Sequence, residues 1–407
     1  TVFTQAETME SPFSEPEDQE KMNLELLERL RHNKDLLQAV EVSSPTDRVN
    51  QKKLRQKFPP DLVREAVALY ETRQRAKERL PQAEQLWLTR TGLEQATTWL
   101  VAKHKAKRFQ GHENVADLCC GIGMDTAALS NKTHVLAIDS NASMVRRAVW
   151  NSEILGTSSH VTGEVDDVTS RQWNDQLIHA DPDRRGDRDR PTRQLENYLP
   201  DIQWMQNLLG QARGGAIKVG PASNWPQHFG QSSCEIELTS LTGECREATI
   251  WFGDLAGNTT RRATNLTTGE SLSGDPADFS QKEITDMQAF LCEPDPAVVR
   301  SGLIDAMCNQ HDFTRIDYEE EYLTTSQKPQ SSLVTPFAVE AVLPAGLKHI
   351  RKYFLARPRH HYEIKCRRLQ IDIESIRRRL PIGEHEPSTI IFCRIDGRSK
   401  AVVAQRL

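Results

Sequence analysis

At 407 residues, with 37% apolar and 27% charged residues and a net charge of −5, the chain has the length of two or three domains at about 100 to 200 residues each. No apolar run approaches the roughly 18 to 20 residues that cross a bilayer, and the first twenty residues carry Glu7, Glu10, Glu15, Glu17, Asp18 and Glu20 in place of a basic and apolar leader, so a cytoplasmic protein with no membrane association is expected. The eight cysteines, at 119, 120, 234, 245, 292, 308, 366 and 393, include no Cys-x-x-Cys pair, which argues against structural zinc or a disulfide framework and for small buried thiols with no metal.

Residues 1 to 20 are acidic and rich in Ser, Pro and Glu, a composition that reads as a disordered tail. From 21 to 109 the apolar residues recur at helical spacing, as in Leu24, Leu26, Leu27, Leu30 and again Leu62, Val63, Ala66, Val67, Tyr70, with Pro59-Pro60 breaking the pattern near its middle. A helical domain is expected there. Between 110 and 255 short apolar runs alternate with amphipathic segments, the pattern of a parallel sheet with crossover helices. The strands are expected at Asn114 to Leu118, His134 to Ile138, Ser159 to Val165, Gln176 to Ala180 and Gly215 to Val219, followed by a pair at Glu235 to Leu241 and Glu247 to Phe252. Helices are expected at Asp125 to Leu129, Ser143 to Leu155 and Leu195 to Ala212. The fold class is therefore α/β, a Rossmann-like doubly wound sheet. Residues 256 to 345 read as a connecting region, with a Gly, Thr and Asn rich hairpin and then helices near Pro276 to Leu291 and Asp295 to Gln310. A small α+β unit occupies 346 to 407, from a helix at Lys348 to Ala356 to a strand pair, Thr389 to Arg394 and Ala401 to Gln405, across the turn Asp396-Gly397.

The stretch Val115-Ala-Asp-Leu-Cys-Cys-Gly-Ile-Gly-Met-Asp125 places an acid at a strand end and two glycines in the following turn. Glycine lets backbone approach a ligand with no Cβ in the way. Asp117 would repel the phosphates of a dinucleotide but can hold the cationic amino group of S-adenosylmethionine, directly or through water. Sixteen positions beyond Gly123 a second strand ends at Asp139, whose carboxylate can accept from both ribose hydroxyls. Thr126 stands where a dinucleotide fingerprint would have its third glycine. After the next strand Asp166 and Asp167 are both available to accept from an adenine amino group, or to cap a helix near Val168, and Asp167 is favoured. Upstream, Gln95 and Thr97 in Leu93-Glu-Gln-Ala-Thr-Thr98 can reach the cofactor's carboxylate, with helix capping the alternative for Thr97.

The strand Leu177-Ile-His-Ala180 runs into Asp181-Pro-Asp-Arg-Arg-Gly186 at the carboxyl end of a central strand, where ligands of such sheets sit. Asp181, Pro182, Asp183 and Arg184 are the catalytic candidates. A carboxylate or carbonyl at Asp181 can orient a substrate amine toward a sulfonium methyl, while Pro182 stiffens the loop. Arg185 and Lys218 are candidates for substrate phosphate, with a simple strand end the alternative for Lys218.

These residues resemble the class I S-adenosylmethionine-dependent methyltransferases, whose first motif is acid-x-Gly-x-Gly-x-Gly, with Cys119 in place of the first glycine. Ala148-Val-Trp-Asn151 and Gly156 are similar to a pattern frequent in RNA-modifying members. The reaction loop is similar to the Asp-Pro-Pro-aromatic loop of amino methyltransferases, with Asp183 and Arg184 at its last two positions. It also approaches the loop of uracil C5 methyltransferases, but Lys218-Val-Gly-Pro221 supplies no cysteine nucleophile. From Lys348 to Arg379 there are eleven Lys or Arg against three Asp or Glu, a local charge of +8 that leaves −13 for the remainder. Tyr353, Phe354 and Tyr362 are interleaved with these cations, a combination that suits RNA, and Arg357, Arg359 and Lys365 are the candidate contacts. Ala356-Arg-Pro-Arg-His-His-Tyr-Glu-Ile-Lys365 and the final strands resemble the THUMP-like domain that ends one bacterial methyltransferase family, and the resemblance extends from Thr89 onward, through Leu291-Cys-Glu-Pro-Asp-Pro296. It implies a Rossmann-like methyltransferase that uses S-adenosyl-L-methionine, with a helical N-terminal domain and a C-terminal module related to RNA-binding THUMP units; RNA as partner is read from the basic C-terminal unit. The expected function is methylation of RNA at a base nitrogen. The alternatives are a protein or small-molecule methyltransferase and a non-catalytic cofactor-binding RNA-binding protein. Oligomeric state and target nucleotide are not legible.

Overall fold

The computed structural model describes residues 16–43, 48–156, 160–184, 192–230, 233–281 and 283–407, with the backbone alone for 16–22. The expected disordered tail falls outside the described residues up to position 15, and a helix begins at Pro16. The chain forms two compact units, one of residues 1–183 with 203–215 and the other of 184–202 with 216–407.

The first unit begins with six helices: α1 (Pro16–His32), α2 (Lys34–Ser43), α3 (Arg48–Lys57), α4 (Pro60–Ala76), α5 (Arg90–Gln95) and α6 (Trp99–Ala106). Pro60 opens α4 because the first helical position needs no N–H. Strand β1 (Asn114–Leu118), helix α7 (Met124–Leu129), β2 (His134–Asp139), α8 (Ala142–Ile154), β3 (Val161–Val165), β4 (Leu177–Ala180) and α9 (Ile202–Gln211) follow. The expected helix from Leu195 starts only at Ile202. Pro200 has no N–H to give, and it disfavours helical backbone at Leu199.

These strands run in the order β3-β2-β1-β4, each pair parallel. The chain therefore steps one way from β1 to β3 and then returns to the other side of β1, which makes β1/β4 the switch point where such sheets bind ligands. Leu27, Leu30, Leu62, Val63, Trp87 and Leu93 of the helical part share one core with Ile122 and Met124 of the turn after β1 and with Trp150 of α8. Trp87 and Trp150 meet edge to face at 5.1 Å. The helical segment is thus part of the floor under that turn.

The second unit contains most of β5 (Gly214–Val219), then α10 (Trp225–Phe229), β6 (Cys234–Leu241), β7 (Glu244–Gly253), β8 (Arg261–Asn265) and β9 (Ser271–Gly274), ordered β5-β7-β6-β8-β9. The segment expected as a connection continues with β10 (Phe290–Pro294), α11 (Pro296–Ser301), α12 (Ile304–His311), β11 (Thr314–Arg315), β12 (Leu323–Thr325) and β13 (Val334–Pro344). A helix expected over Pro276 to Leu291 is a short 3₁₀ turn at Pro276–Asp278 followed by β10. Phe290 and Leu291 pair with β12 and β13 on either side, so sheet pairing overrides a helical apolar spacing.

After β13 come α13 (Leu347–Leu355), β14 (Tyr362–Cys366), α14 (Ile373–Arg379), β15 (Ser388–Ile395) and β16 (Arg398–Arg406), giving a seven-stranded sheet β11-β12-β10-β13-β16-β15-β14. Because β13 pairs with β16 over most of its length, the terminal module begins about a strand earlier than the expected residue 346. Strand β15 is apolar on both sides: Ile390 and Phe392 face Ile350, Phe354 and Ile376 of the two helices, while Ile391, Cys393 and Ile395 face Leu291, Tyr322 and Phe337. The turn Asp396-Gly397 has positive φ at both residues, +49° and +71°, as a tight hairpin between twisted strands requires.

Candidate active site

The turn after β1 is built from three left-handed residues, Cys119 (φ +61°), Gly121 (+52°) and Gly123 (+81°). A Cβ on Gly123 would lie 2.5 Å from Cα of Ala148, so this glycine exists for close packing on α8. One on Gly121 would meet nothing within 4 Å. Open space beside a left-handed glycine at the switch point is where a ligand can approach the backbone. Cys119 takes the strained conformation without being glycine, at a cost of about 1–2 kcal/mol.

Asn151 explains the Ala-x-x-Asn pattern. Its fully buried amide donates to the carbonyls of Ile122 at 2.8 Å and Trp87 at 3.2 Å, and its Oδ1 accepts from the Trp87 N–H at 2.7 Å. Three hydrogen bonds from one side chain pin the turn to the helical segment, and losing them would leave buried backbone groups unpaired.

Asp139, half-buried at the end of β2, accepts from the Gly121 N–H at 3.0 Å on Oδ2 and the Asn141 N–H at 2.9 Å on Oδ1. Across the switch point, the Asp181 N–H donates to the Leu118 carbonyl at 3.1 Å, which sets the Asp-Pro loop beside the glycine turn. Gln95 Nε2 donates to Asp183 Oδ1 at 2.6 Å, so α5 reaches the reaction loop. The Cys119 thiol records the convergence: burial, followed by the charges of Asp139, Asp181, Asp117 and Asp167, pushes it well above the ordinary thiol range. Four of the carboxylates expected from sequence therefore surround one turn, and their field suits a cation.

The structure corrects several expected roles. Asp117, expected to hold the cofactor's amino group, turns its carboxylate inward. It is fully buried, with His179 Nδ1 at 2.7 Å from Oδ1 and the Thr126 hydroxyl donating to Oδ2 at 2.5 Å. Thr97 neither caps a helix nor faces outward, because Thr98 holds the N-cap position of α6 and the buried Thr97 hydroxyl donates to Asp125 Oδ2 at 2.5 Å. Asp167 is exposed, and its Oδ1 accepts from the N–H and hydroxyl of Thr169, bonds that hold its carboxyl below the usual range. It caps a turn, not a helix. Asp166 accepts from the Ser170 hydroxyl at 3.3 Å and lies 3.7 Å from Arg171.

Arg184 and Lys218 belong to the second unit, where a Cβ on Gly220 would come within 3.5 Å of Arg184 Nη1 and Lys218 is buried in β5. Arg185 lies outside the described residues. In the terminal module only Arg357, of the three expected RNA contacts, stands exposed. Arg359 is buried against Glu340 at 2.6 Å, and Lys365 pairs with Glu293 and lies over the Phe337 ring. Both are held by acids distant in sequence, Glu340 on β13 and Glu293 on β10, which a sequence window does not place beside them.

Sequence reasoning missed the residues behind Asp117. The parallel register sets His179 directly opposite Asp117, and Lys105 Nζ lies 3.1 Å from His179 Nε2 and 3.0 Å from Asp125 Oδ1. Lys105 lies within a basic run, Lys103 to Arg108, yet it is 1% exposed. Only its apolar neighbours at helical spacing, Val101 and Ala102, hinted at burial.

A parallel sheet with a left-handed glycine turn and convergent acids at its switch point, joined in one chain to a basic α+β module, defines an α/β protein of the class I methyltransferase fold. The chain is 31% identical over 321 residues to an S-adenosylmethionine-dependent methyltransferase of Mycobacterium tuberculosis, otherwise uncharacterized and matched alike in two strains, a likeness covering 77% of this chain and 86% of the relative. A solved structure from Porphyromonas gingivalis that carries a methyltransferase assignment superposes with a TM-score of 0.73 over 92% of this chain and 98% of its own at 16% identity, which establishes the shared fold. Residues 334–406 match the THUMP domain-like family. The chain belongs to the S-adenosylmethionine-dependent methyltransferases: it is an enzyme whose cofactor is S-adenosyl-L-methionine, and it ends in a THUMP-like domain. No helix among the described residues is long and apolar enough to cross a membrane.

Proposed function

We propose that the enzyme methylates RNA, at a base nitrogen. The observation that carries this reading is the row of exposed cations on the two helices of the THUMP-like domain, Lys348, Arg351 and Lys352 on α13 and Arg377, Arg378 and Arg379 on α14, with Arg357 between. An acidic chain that gathers exposed positive charge on one module has the electrostatic footprint of a phosphate-binding surface.

In this reading Asp139 receives the ribose hydroxyls, held in place by the N–H groups of Gly121 and Asn141. The open side of Gly121 admits the methionine portion, and Asp166 or Asp167 lies toward the adenine. The bound cofactor supplies a methyl group on a cationic sulfur. Asp181, stiffened by the buried Pro182, and Asp183, held by Gln95, orient the acceptor amine and take up its proton. Positioning and charge complementarity are what the chain contributes, and no step calls for a metal. The test is incubation of the full chain with methyl-labelled cofactor and total RNA from a strain lacking the gene. Ribonuclease-sensitive label is expected. Label entering protein instead, or no incorporation alongside tight cofactor binding, overturns the RNA assignment.

A further inference from the structure

Beneath the glycine turn, Thr97, Asp125, Lys105, His179, Asp117 and Thr126 form one continuous chain of polar contacts in which no member is more than 8% exposed. Such a chain costs desolvation energy and is retained only where its geometry is well satisfied. Donor and acceptor chemistry fixes its direction. A lysine ammonium has only hydrogens to offer, so His179 Nε2 must accept from Lys105; the imidazole's own hydrogen then sits on Nδ1 and is donated to Asp117 Oδ1. The Thr126 hydroxyl donates to Oδ2. Asp117 thus receives a hydrogen on each oxygen, the pattern a carboxylate accepts. Lys105 also pairs with Asp125 at 3.0 Å, so one lysine holds both the histidine behind Asp117 and the acid in the first turn of α7.

We propose that Lys105 and His179 are positioning residues for the cofactor: they fix the tautomer and ionisation that make Asp117 a buried, oriented negative charge acting on the sulfonium through a low-dielectric floor. The same chain has mechanical reach. Thr97 lies two residues from Gln95, which grips Asp183, and His179 lies two residues before Asp181. A disturbance of the relay therefore reaches both the cofactor turn and the reaction loop. This inference rests on the reading of the turn at Gly121 as the cofactor site.

Two substitutions at one position separate the halves of the histidine. In His179→Asn the amide nitrogen falls near Nδ1 and can still donate to Asp117, whereas in His179→Gln the amide reaches toward Nε2 and the donor to Asp117 is lost. Titration of the full-length variants with S-adenosylmethionine, which carries the sulfonium, by calorimetry, alongside their thermal midpoints, is the experiment. His179→Asn is expected to weaken binding about threefold and His179→Gln at least roughly tenfold at similar thermal midpoints. Equal losses in the two, losses that simply track stability, or no loss in either would overturn the proposal. Lys105→Met, expected to weaken binding about tenfold because His179 Nε2 loses the donor that fixes its tautomer, serves if glutamine at 179 does not fold, and wild-type affinity in it is equally fatal. Asp139→Ala is the control for the site itself: wild-type affinity there refutes the cofactor site, whereas loss there with unchanged His179 variants refutes the relay alone.

Discussion

Around the turn after β1, charged side chains are withdrawn from water and tied to one another in fixed directions, whereas in the THUMP-like domain the charges divide into two populations. Arg359, Lys365, Arg367, Arg368 and Arg406 are each matched to a glutamate, among them Glu340, Glu293, Glu321 and Glu363, while the cations of α13 and α14 stand toward solvent. The first arrangement uses charge to organise a site from inside. The second uses part of it as structural cement and presents the remainder. A local charge of +8 therefore overstates what a polyanion would meet, and a single buried aspartate understates its influence on a cofactor.

The largest effect expected from breaking the first arrangement is at Gly123. Gly123→Ala forces a Cβ into the backbone of Ala148 while keeping a left-handed φ, and should destabilise the protein by about 2–5 kcal/mol. Gly121→Ala, with open space around it, should cost about 1–2 kcal/mol and act chiefly on cofactor affinity. Urea denaturation and calorimetry on the two variants separate the roles. Comparable stability losses would erase the distinction between a packing glycine and a ligand glycine.

A smaller effect sharpens the contrast within the terminal domain. Replacing Lys348, Arg351 and Lys352 together by Gln should lower the slope of log affinity for single-stranded RNA against log salt by about 2, at about 0.7 for each phosphate no longer neutralised, with stability almost unchanged. Arg359→Gln should do the reverse, leaving the slope alone and costing about 1–3 kcal/mol through the lost charged hydrogen bond to Glu340, which keeps Tyr353 and Gln405 as donors. A slope that fell in Arg359→Gln would return that residue to the RNA-contacting set.

What was legible in the chain follows from how local each signal is. Strand β1 ends where its short apolar run ends, at Leu118, and α8 begins within a residue of its expected start because Asn141 caps it, accepting from the N–H groups of Ser143 and Met144. The acid-turn-glycine pattern and the Asp-Pro strand end are contiguous signals and pointed to the cofactor. The relay was not legible, since Lys105, His179 and Asp117 are joined only by the parallel register of β1 and β4 and the seating of α6. The same blindness explains Arg359 and Lys365, whose partners Glu340 and Glu293 lie 19 and 72 positions away. Buried and paired charges look like surface charges in a sequence window, and only contacts between distant parts of the chain tell them apart.

The smallest effect expected concerns Cys119, which stands where related motifs carry glycine. Half-buried and ringed by Asp139, Asp181, Asp117 and Asp167, its thiol is held well above the ordinary range by burial first and by those charges second. A group whose ionised form is disfavoured stays protonated through neutral pH, and the thiolate is the species that alkylates. Iodoacetamide at pH 8 should therefore modify Cys119 at roughly a tenth or less of the rate of free cysteine, read by mass spectrometry of the peptide spanning the turn. Fast labelling would mean that the carboxylates do not converge on the thiol, and with them would go the negative field on which the cation-binding reading of the turn depends. Slow labelling that quickens when Asp139 is replaced by Asn would tie the effect to charge as well as to burial, because that change removes the first of the four charges while preserving the side chain's shape.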